Sequence, residues 1–474
     1  MNRTEVRHWL PNRRPRVFLP ELRAGDGAQL LPETTYYTLA PLERGALYAV
    51  AAEIGGSVFV DGAHPVLHGP GLRGVYVTEA AQWFGQDRIN ALPGAIDDRV
   101  SRCSALLDYI ERALQTEWQD DVSLLASPGV TGRDLWLRTV PDRGYPLVSP
   151  DAQDWIRNHS GQARIEMFPA RTAVARGLVE YDMRLAYVAC TRGLPIGEPI
   201  EVGAKDLWAE LRNRRTRTGG PTIDAHTVRR PGRVSIDFVA PAGWSGPGLL
   251  PVHDGQRWRW PTIGKHSAVV DTCEMELAVR YGWHIEPTPG AVSLLWHETG
   301  DPYRKFIYRC ERVLDRAERH WGGLLGGMAR NVLRAVMLHT IGAMYGSPHP
   351  VSRTGQDVDV PIDAQRLRAN TDGSLSWVEL QPTRWPSTSH PEWVAHIWAR
   401  ARCRILSGPG KTGLLHLPAN IEPVAVRTDA VYLTGDPEWP DDGKAGRFVR
   451  KRVVPGPIPW PTTSAQLIAA RGKK

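Results

Sequence analysis

The chain has 474 residues, 42% of them hydrophobic, and 58 Lys and Arg against 51 Asp and Glu give a net charge of +7. This length suggests roughly three domain-sized units with a sizeable core. No apolar run approaches the ~20 residues of a membrane-spanning helix, and the charged N-terminus lacks the apolar stretch of a secretory signal.

The five cysteines lie far apart, in neither a Cys-x-x-Cys zinc pattern nor a dense disulfide framework. A cytoplasmic protein is the simplest expectation.

In chain order, residues 17–80 read as short β-segments: RVFLPE, TYYTLA, LYAVAAEI, GSVFVDG and GVYVTEA, punctuated by Gly and Pro. Over 99–118, Leu106, Leu107, Ile110 and Leu114 recur at helical spacing. A turn-rich link leads to a strand-like run at 177–190 and then to an arginine-rich stretch from Arg212 to Arg233. Residues 235–296 read as strands and a helix, followed by long helices at about 301–320 and 328–345. A strand at 376–380, an amphipathic helix at 391–406 and a strand at 424–434 precede a tail rich in Lys and Arg. From Gly443 onward there are no acids, so the net charge resides in that tail. Two basic segments on a near-neutral body fit a polyanionic partner or a solvated loop and tail, and charge alone leaves both open.

Two acids stand out. Asp182, in Val179-Glu-Tyr-Asp-Met-Arg-Leu-Ala-Tyr187, and Asp429, in Val426-Arg-Thr-Asp-Ala-Val-Tyr432, are each set in an apolar, strand-like run. Phosphoryl transfer with two divalent ions needs carboxylates held rigidly on neighbouring strands, because it relies on positioning and charge neutralisation. Taken singly, either Asp is better explained by a turn cap or a nearby Arg.

The order of the segments over residues 100–452 resembles the family B DNA polymerases, most closely the short protein-primed branch of phages and mobile elements. Asp182-Met-Arg-Leu-Ala-Tyr187 is similar to the family's Asp-x-x-Ser-Leu-Tyr motif, and Arg427-Thr-Asp429-Ala430 to part of Tyr-x-Asp-Thr-Asp-Ser. Leu338-His-Thr-Ile-Gly342-Ala-Met-Tyr345-Gly346 resembles the fingers motif Lys-x-x-x-Asn-Ser-x-Tyr-Gly. The implied fold is α+β: a right-hand polymerase of palm, fingers and small thumb, preceded by an RNase H-like exonuclease remnant.

The corresponding boundaries begin with 1–125 for the remnant and 126–300 for the template-binding loop and first palm part, with a basic insertion at 205–235. Fingers would span 301–350, the second palm part 351–440, and a minimal basic thumb or tail 441–474.

The resemblance also implies roles. Asp182 and Asp429 would hold two Mg²⁺ (or Mn²⁺) ions. Tyr187 would close off the sugar edge of the nucleotide. Tyr345 would stack below the nascent base pair, with Gly342 allowing close approach. Leu338 replaces the family lysine, so Arg334, helped by Arg309, Arg312 or Arg330, would bind the triphosphate. Gly161 and Arg164 in the template-binding loop would contact DNA, as would Arg214 and Arg215 in the basic insertion and Lys444, Arg450 and Lys451 at the thumb entry.

The implied partners are a DNA template-primer, deoxynucleoside triphosphates and a priming or replication protein, with no membrane. The implied activity is a DNA polymerase (nucleotidyltransferase) without proofreading. Arg427, Ala430 and Leu338 depart from the motifs, which opens the alternative of a catalytically degraded, polymerase-like nucleic-acid-binding protein. Template-independent or protein-primed nucleotide addition is a third reading. In the N-terminal unit, Tyr109-Ile-Glu-Arg-Ala113 has Ala where the exonuclease motif has Asp, and Phe18-Leu-Pro-Glu21 lacks another Asp. A structural remnant without nuclease activity is expected there.

Overall fold

A computed structural model describes residues 15–61, 64–70, 72–125, 127–141, 144–161, 163–170, 172–207, 230–255, 257–346, 349–355, 365–369, 375–381 and 386–472. The chain divides into two compact units, each assembled from two separate stretches. Residues 1–144 and 305–389 form one, and 145–304 with 390–474 form the other.

The first unit holds a mixed five-stranded sheet. Arg16–Leu19 and Leu72–Glu79 run parallel to Thr35–Thr38 on either side, and His64–Gly69 and Ser57–Asp61 add antiparallel strands beyond. The segment LYAVAAEI is helical rather than the expected strand: Arg44–Glu53 is an α-helix. Its alanines are strong helix formers, and Leu47, Val50 and Ala51 recur on one face to pack against Tyr36, Leu67 and Val75.

The helix expected over 99–118 runs from Ile96 to Trp118, with Leu106, Leu107, Ile110 and Leu114 fully buried. It is tied to the first strand by Arg16, which pairs with Asp108 at 2.6 Å and with buried Glu111. The two long helices are Arg304–Trp321 and Gly323–Ala343. Pro128–Leu137 packs on the second of these at Gly132, where a Cβ would come within 1.7 Å of the Thr340 hydroxyl oxygen, so only glycine permits this approach. A three-stranded antiparallel sheet of His349–Gly355, Leu375–Gln381 and Gln365–Ala369 completes the described part of this unit.

The second unit is built on a five-stranded antiparallel sheet with Val174–Met183 near its centre. That strand lies between Phe448–Pro459 and Ala430–Leu433, followed outward by Pro423–Arg427 and Ile165–Met167. Strand alternation sorts its side chains. Val179, Tyr181 and Met183 join the large core that includes Ile405 and Leu406 of the helix Pro391–Leu406. Leu178 joins a smaller cluster with Tyr432, Trp460 and Leu467.

Two sequence readings change here. The strand-like run at 177–190 ends at Met183 and continues as turns and a short 3₁₀ segment, Val188–Cys190. The strand read at 424–434 is a hairpin, reversing at Thr428-Asp429. The basic tail is also ordered, as the strand Phe448–Pro459 and the helix Ser464–Arg471. A second sheet, of Lys265–Asp271, Gly232–Val239, Val292–Leu295 and Ile200–Gly203, has His284–Pro287 paired to Gly232–Val239.

Candidate functional site

The central sheet of the second unit brings the two predicted acids to one end. Asp182, next to last in Val174–Met183, pairs across the sheet with Ala430 on one side and Val449 on the other. Asp429 sits in the hairpin turn immediately before Ala430, and its carbonyl accepts a hydrogen bond from the Met183 amide at 3.0 Å. The Thr428 hydroxyl donates to the Asp429 carboxylate at 2.9 Å.

The backbone is strained on both sides of this pair. Thr428 and Leu185 hold φ values of 59° and 46°, a left-handed conformation that a β-branched or bulky residue rarely adopts. Such strain persists only where surrounding structure enforces it, and it concentrates at functional sites.

Lys451 is the third member of the cluster. Its ammonium lies 3.7 Å from Asp182 Oδ2. The register explains how it gets there. Arg450 pairs with Tyr181 and Arg452 with Glu180, so Lys451 is the extra residue of a β-bulge and has no partner across the ladder. A bulge of this kind re-aims a side chain. Tyr187 lies half-buried on the turn that follows; burial and then the negative charge of Asp429 push its phenol above the usual range, with Arg402 opposing.

The remaining predicted residues of this unit separate into buried and exposed groups. Arg164, expected to contact DNA, belongs to the buried group. It is fully buried, donates to Glu166 at 2.8 Å and to the Gly248 carbonyl at 2.9 Å, and lies over the Trp260 ring at 4.9 Å, so its guanidinium faces the protein interior. Gly161, at φ 72°, backs onto the buried Arg402 guanidinium.

Lys444, Arg450 and Lys451 are exposed, but each has a carboxylate partner. Lys444 lies 3.5 Å from Asp442, Arg450 pairs with Asp436, and Lys451 reaches Asp182. Glu180, two residues before Asp182, receives a bidentate pair from Arg471 at 2.6 and 2.7 Å. Lys444, Arg450, Lys451 and Arg471 are therefore each met by an acid, and for the last three it is one that the fold brings near. Arg214 and Arg215 lie outside the described residues.

The residues expected to bind the nucleotide, other than Tyr187, belong to the first unit. Arg330 pairs with Glu318, Arg312 lies 3.4 Å from Glu117, and Arg309 lies 5.4 Å over the Trp118 ring. Arg334 and Tyr345 are half-buried. Gly342 is not sterically required, because a Cβ there would meet nothing within 4 Å. Gly346 is the constrained glycine, with φ 61° and Ser389 Oγ 2.0 Å from the position of a Cβ. Tyr109 stacks on His320 at 4.4 Å, within an aromatic group that includes Trp321.

Among the described residues, no group of three or more His, Cys, Asp and Glu is arranged to hold a metal ion. The acids at the sheet end are two carboxylates with an ammonium beside one of them. Mg²⁺ in phosphoryl-transfer sites takes one or two carboxylates and completes its shell with phosphate oxygens and water. Asp182 and Asp429 could supply that minimum only after Lys451 moves off Asp182. No helix among the described residues is long and apolar enough to cross a membrane.

No protein-family model and no curated protein matches this sequence. Solved structures of phi29 DNA polymerase do resemble it. A complex with primer-template DNA aligns with a TM-score of 0.56 at 12% identity, covering 89% of this chain and 76% of that one. An orthorhombic crystal form gives 0.54 at 11% identity, covering 95% and 78%. A ternary complex with incoming nucleotide gives 0.55 at 12% identity. At this identity the likeness concerns the fold: the chain has a mixed α+β architecture similar to that of the phi29-like family B DNA polymerases.

Proposed function

We propose that this chain is a polymerase-like nucleic-acid-binding protein in which the palm-type acidic site has been converted toward binding. The observation that carries this reading is the bulge that sets the Lys451 ammonium 3.7 Å from Asp182. A cation supplied by the protein there neutralises a carboxylate that would otherwise attract a divalent ion or repel a phosphate. The exposed cations Lys444 and Arg450 lie on the same segment, and phosphates, which such cations bind without reading sequence, would compete there with their partners Asp442 and Asp436. Solved complexes of the similar polymerase with primer-template DNA support nucleic acid as the polyanion.

A second reading keeps nucleotidyl transfer, templated or not, with deoxynucleoside triphosphates and a priming protein as partners. It is favoured by the convergence of Asp182 and Asp429 at one sheet end, beside Tyr187. Under that reading Mg²⁺ or Mn²⁺ would supply charge neutralisation on the phosphates. Asp182 and Asp429 would orient the site, and Lys451 would have to swing away.

Fluorescence anisotropy with a primer-template in EDTA, followed by primer extension with Mg²⁺ or Mn²⁺, separates the two. Tight binding in EDTA without incorporation is the expected result. Incorporation that both Asp182→Ala and Asp429→Ala abolish would establish the second reading instead.

A further inference from the structure

A cavity of about 500 Å³ opens in the second unit, built from elements that do not carry the Asp182–Asp429 edge. The helix Pro150–His159 lines it with Trp155 and His159, whose rings sit 4.6 Å apart. The short hairpin of Val252–His253 and Trp258–Arg259 lines it with a second aromatic pair, His253 and Trp258, 4.9 Å apart. Neither pair is sealed in the core: Trp155, His159 and Trp258 are half-buried and His253 is exposed.

The rest of the lining is half apolar, from Ala268, Val269, Ala291 and Val292, and half uncharged polar, with no Asp, Glu, Lys or Arg. Ser267 and Thr288 donate their hydroxyl protons to Asp237 at 2.7 and 2.8 Å, and Ser235 donates to the Val292 carbonyl at 2.7 Å. With those protons committed, the hydroxyl oxygens keep lone pairs for an incoming N–H donor. Asn158 adds an exposed amide with both donor and acceptor character.

Two aromatic pairs, acceptor hydroxyls and an uncharged lining describe a receptor for a flat, neutral heteroaromatic ring. The volume lies within the range of small-molecule sites. The flanking residues indicate what the ring is attached to. Arg257 and Arg259 bracket Trp258, with side chains 71% and 56% exposed, and both turn toward the single carboxylate of Asp254. Two guanidiniums against one carboxylate leave a surplus positive charge beside the aromatic hairpin. Alternating basic and aromatic residues on an exposed element is the pattern by which proteins stack bases while holding the phosphate backbone.

We infer that this cavity is a stacking site for one unpaired base of a single-stranded nucleic acid. The identity of the polymer rests on the nucleic-acid-binding reading above, whereas the flat neutral ring is argued from the cavity itself.

The test uses the full chain with fluorescein-labelled oligo(dT), a blunt duplex as comparison, and an oligonucleotide carrying 5-iodouracil for photocrosslinking. Trp258→Ala and Trp155→Ala are expected to weaken oligo(dT) binding by about tenfold each, the low-to-middle range for loss of one base–aromatic stack. Duplex affinity should stay within about twofold, and Trp258→Phe, which keeps a stacking face, should recover most of the loss. The crosslink should map to a peptide containing Trp155 or Trp258. Unchanged oligo(dT) affinity in both alanine variants, or a crosslink confined to other peptides, overturns the inference. Duplex binding without single-strand binding by the wild-type chain overturns it too, and leaves the broader reading standing. Failure to bind either nucleic acid removes both.

Discussion

Glu180 and Asp182 stand two residues apart on one strand, project from the same face, and live in different physical worlds. Glu180 is buried, gripped by Nε and Nη2 of the Arg471 guanidinium and approached by the Tyr432 hydroxyl at 3.5 Å. Asp182 is 19% exposed, and its cation stands off at 3.7 Å on a lysine that is itself 43% exposed. A buried bidentate pair is structural, since removing one partner strands a charge away from water. A loose pair at the surface contributes little and is exchangeable. One strand thus carries a carboxylate held by a close bidentate pair and another, nearer the surface, whose ammonium stands off.

Arg471→Ala tests this contrast most severely. It leaves the buried Glu180 carboxylate without its bidentate partner and should destabilise the chain by about 3 kcal/mol, visible as a fall in Tm of roughly 6–12 °C. A loss below about 1 kcal/mol would erase the distinction between the two acids.

A smaller effect is expected from a third carboxylate, Asp271. It is fully buried, and although burial alone would raise it, His396 at 2.8 Å, Arg233 and the Cys273 amide hold it down to about 2 from an ordinary 3.8. A carboxyl depressed on folding contributes stability that is fully present above its unfolded value and lost as pH falls through its folded value. Acid unfolding should therefore steepen between about pH 4 and pH 2, and the slope should be shallower in Asp271→Asn, worth about 2 kcal/mol across the window. Identical slopes would show that Asp271 is not the group being titrated.

At the open end the effects on stability shrink and those on binding appear. Asp182→Asn should change stability by less than about 1 kcal/mol. Lys451→Ala should weaken nucleic-acid binding across sequences and lower the slope of log affinity against log salt by about one. An unaltered salt slope would remove Lys451 from the phosphate-binding surface.

Much of this arrangement was legible in the sequence, for identifiable reasons. Leu106, Leu107, Ile110 and Leu114 announce their helix because 3.6-residue spacing survives any tertiary context. Asp182 and Asp429 were paired by the order of the motifs, and the sheet brings them together. The bulge was not legible, since nothing in Arg450-Lys451-Arg452 distinguishes a residue in register from an extra one. Nor was the burial of Arg164, because the partners that neutralise and cover it include Gly248 and Trp260, far along the chain. The stretch LYAVAAEI misled because a short apolar run fits strand and helix alike until a neighbouring sheet selects the face it buries. The signal for the aromatic cavity was present as Arg257-Trp-Arg-Trp260, but its second wall comes from a helix about a hundred residues earlier.

The interleaving of the two units has a consequence for how the protein is made. The sheet neighbours of Val174–Met183, Ala430–Leu433 and Phe448–Pro459, are synthesised roughly 250 residues after it. At about 5–20 residues per second, that is a wait of roughly 12–50 s. During that wait a nascent strand with hydrogen-bonding edges and Leu178, Val179 and Tyr181 along its length lacks both of its sheet neighbours. Long-range pairing of this kind slows folding and lengthens exposure to wrong partners. The stretch 305–389, made in the interval, belongs to the other unit, so one unit gains its last pieces before the other can close its central sheet.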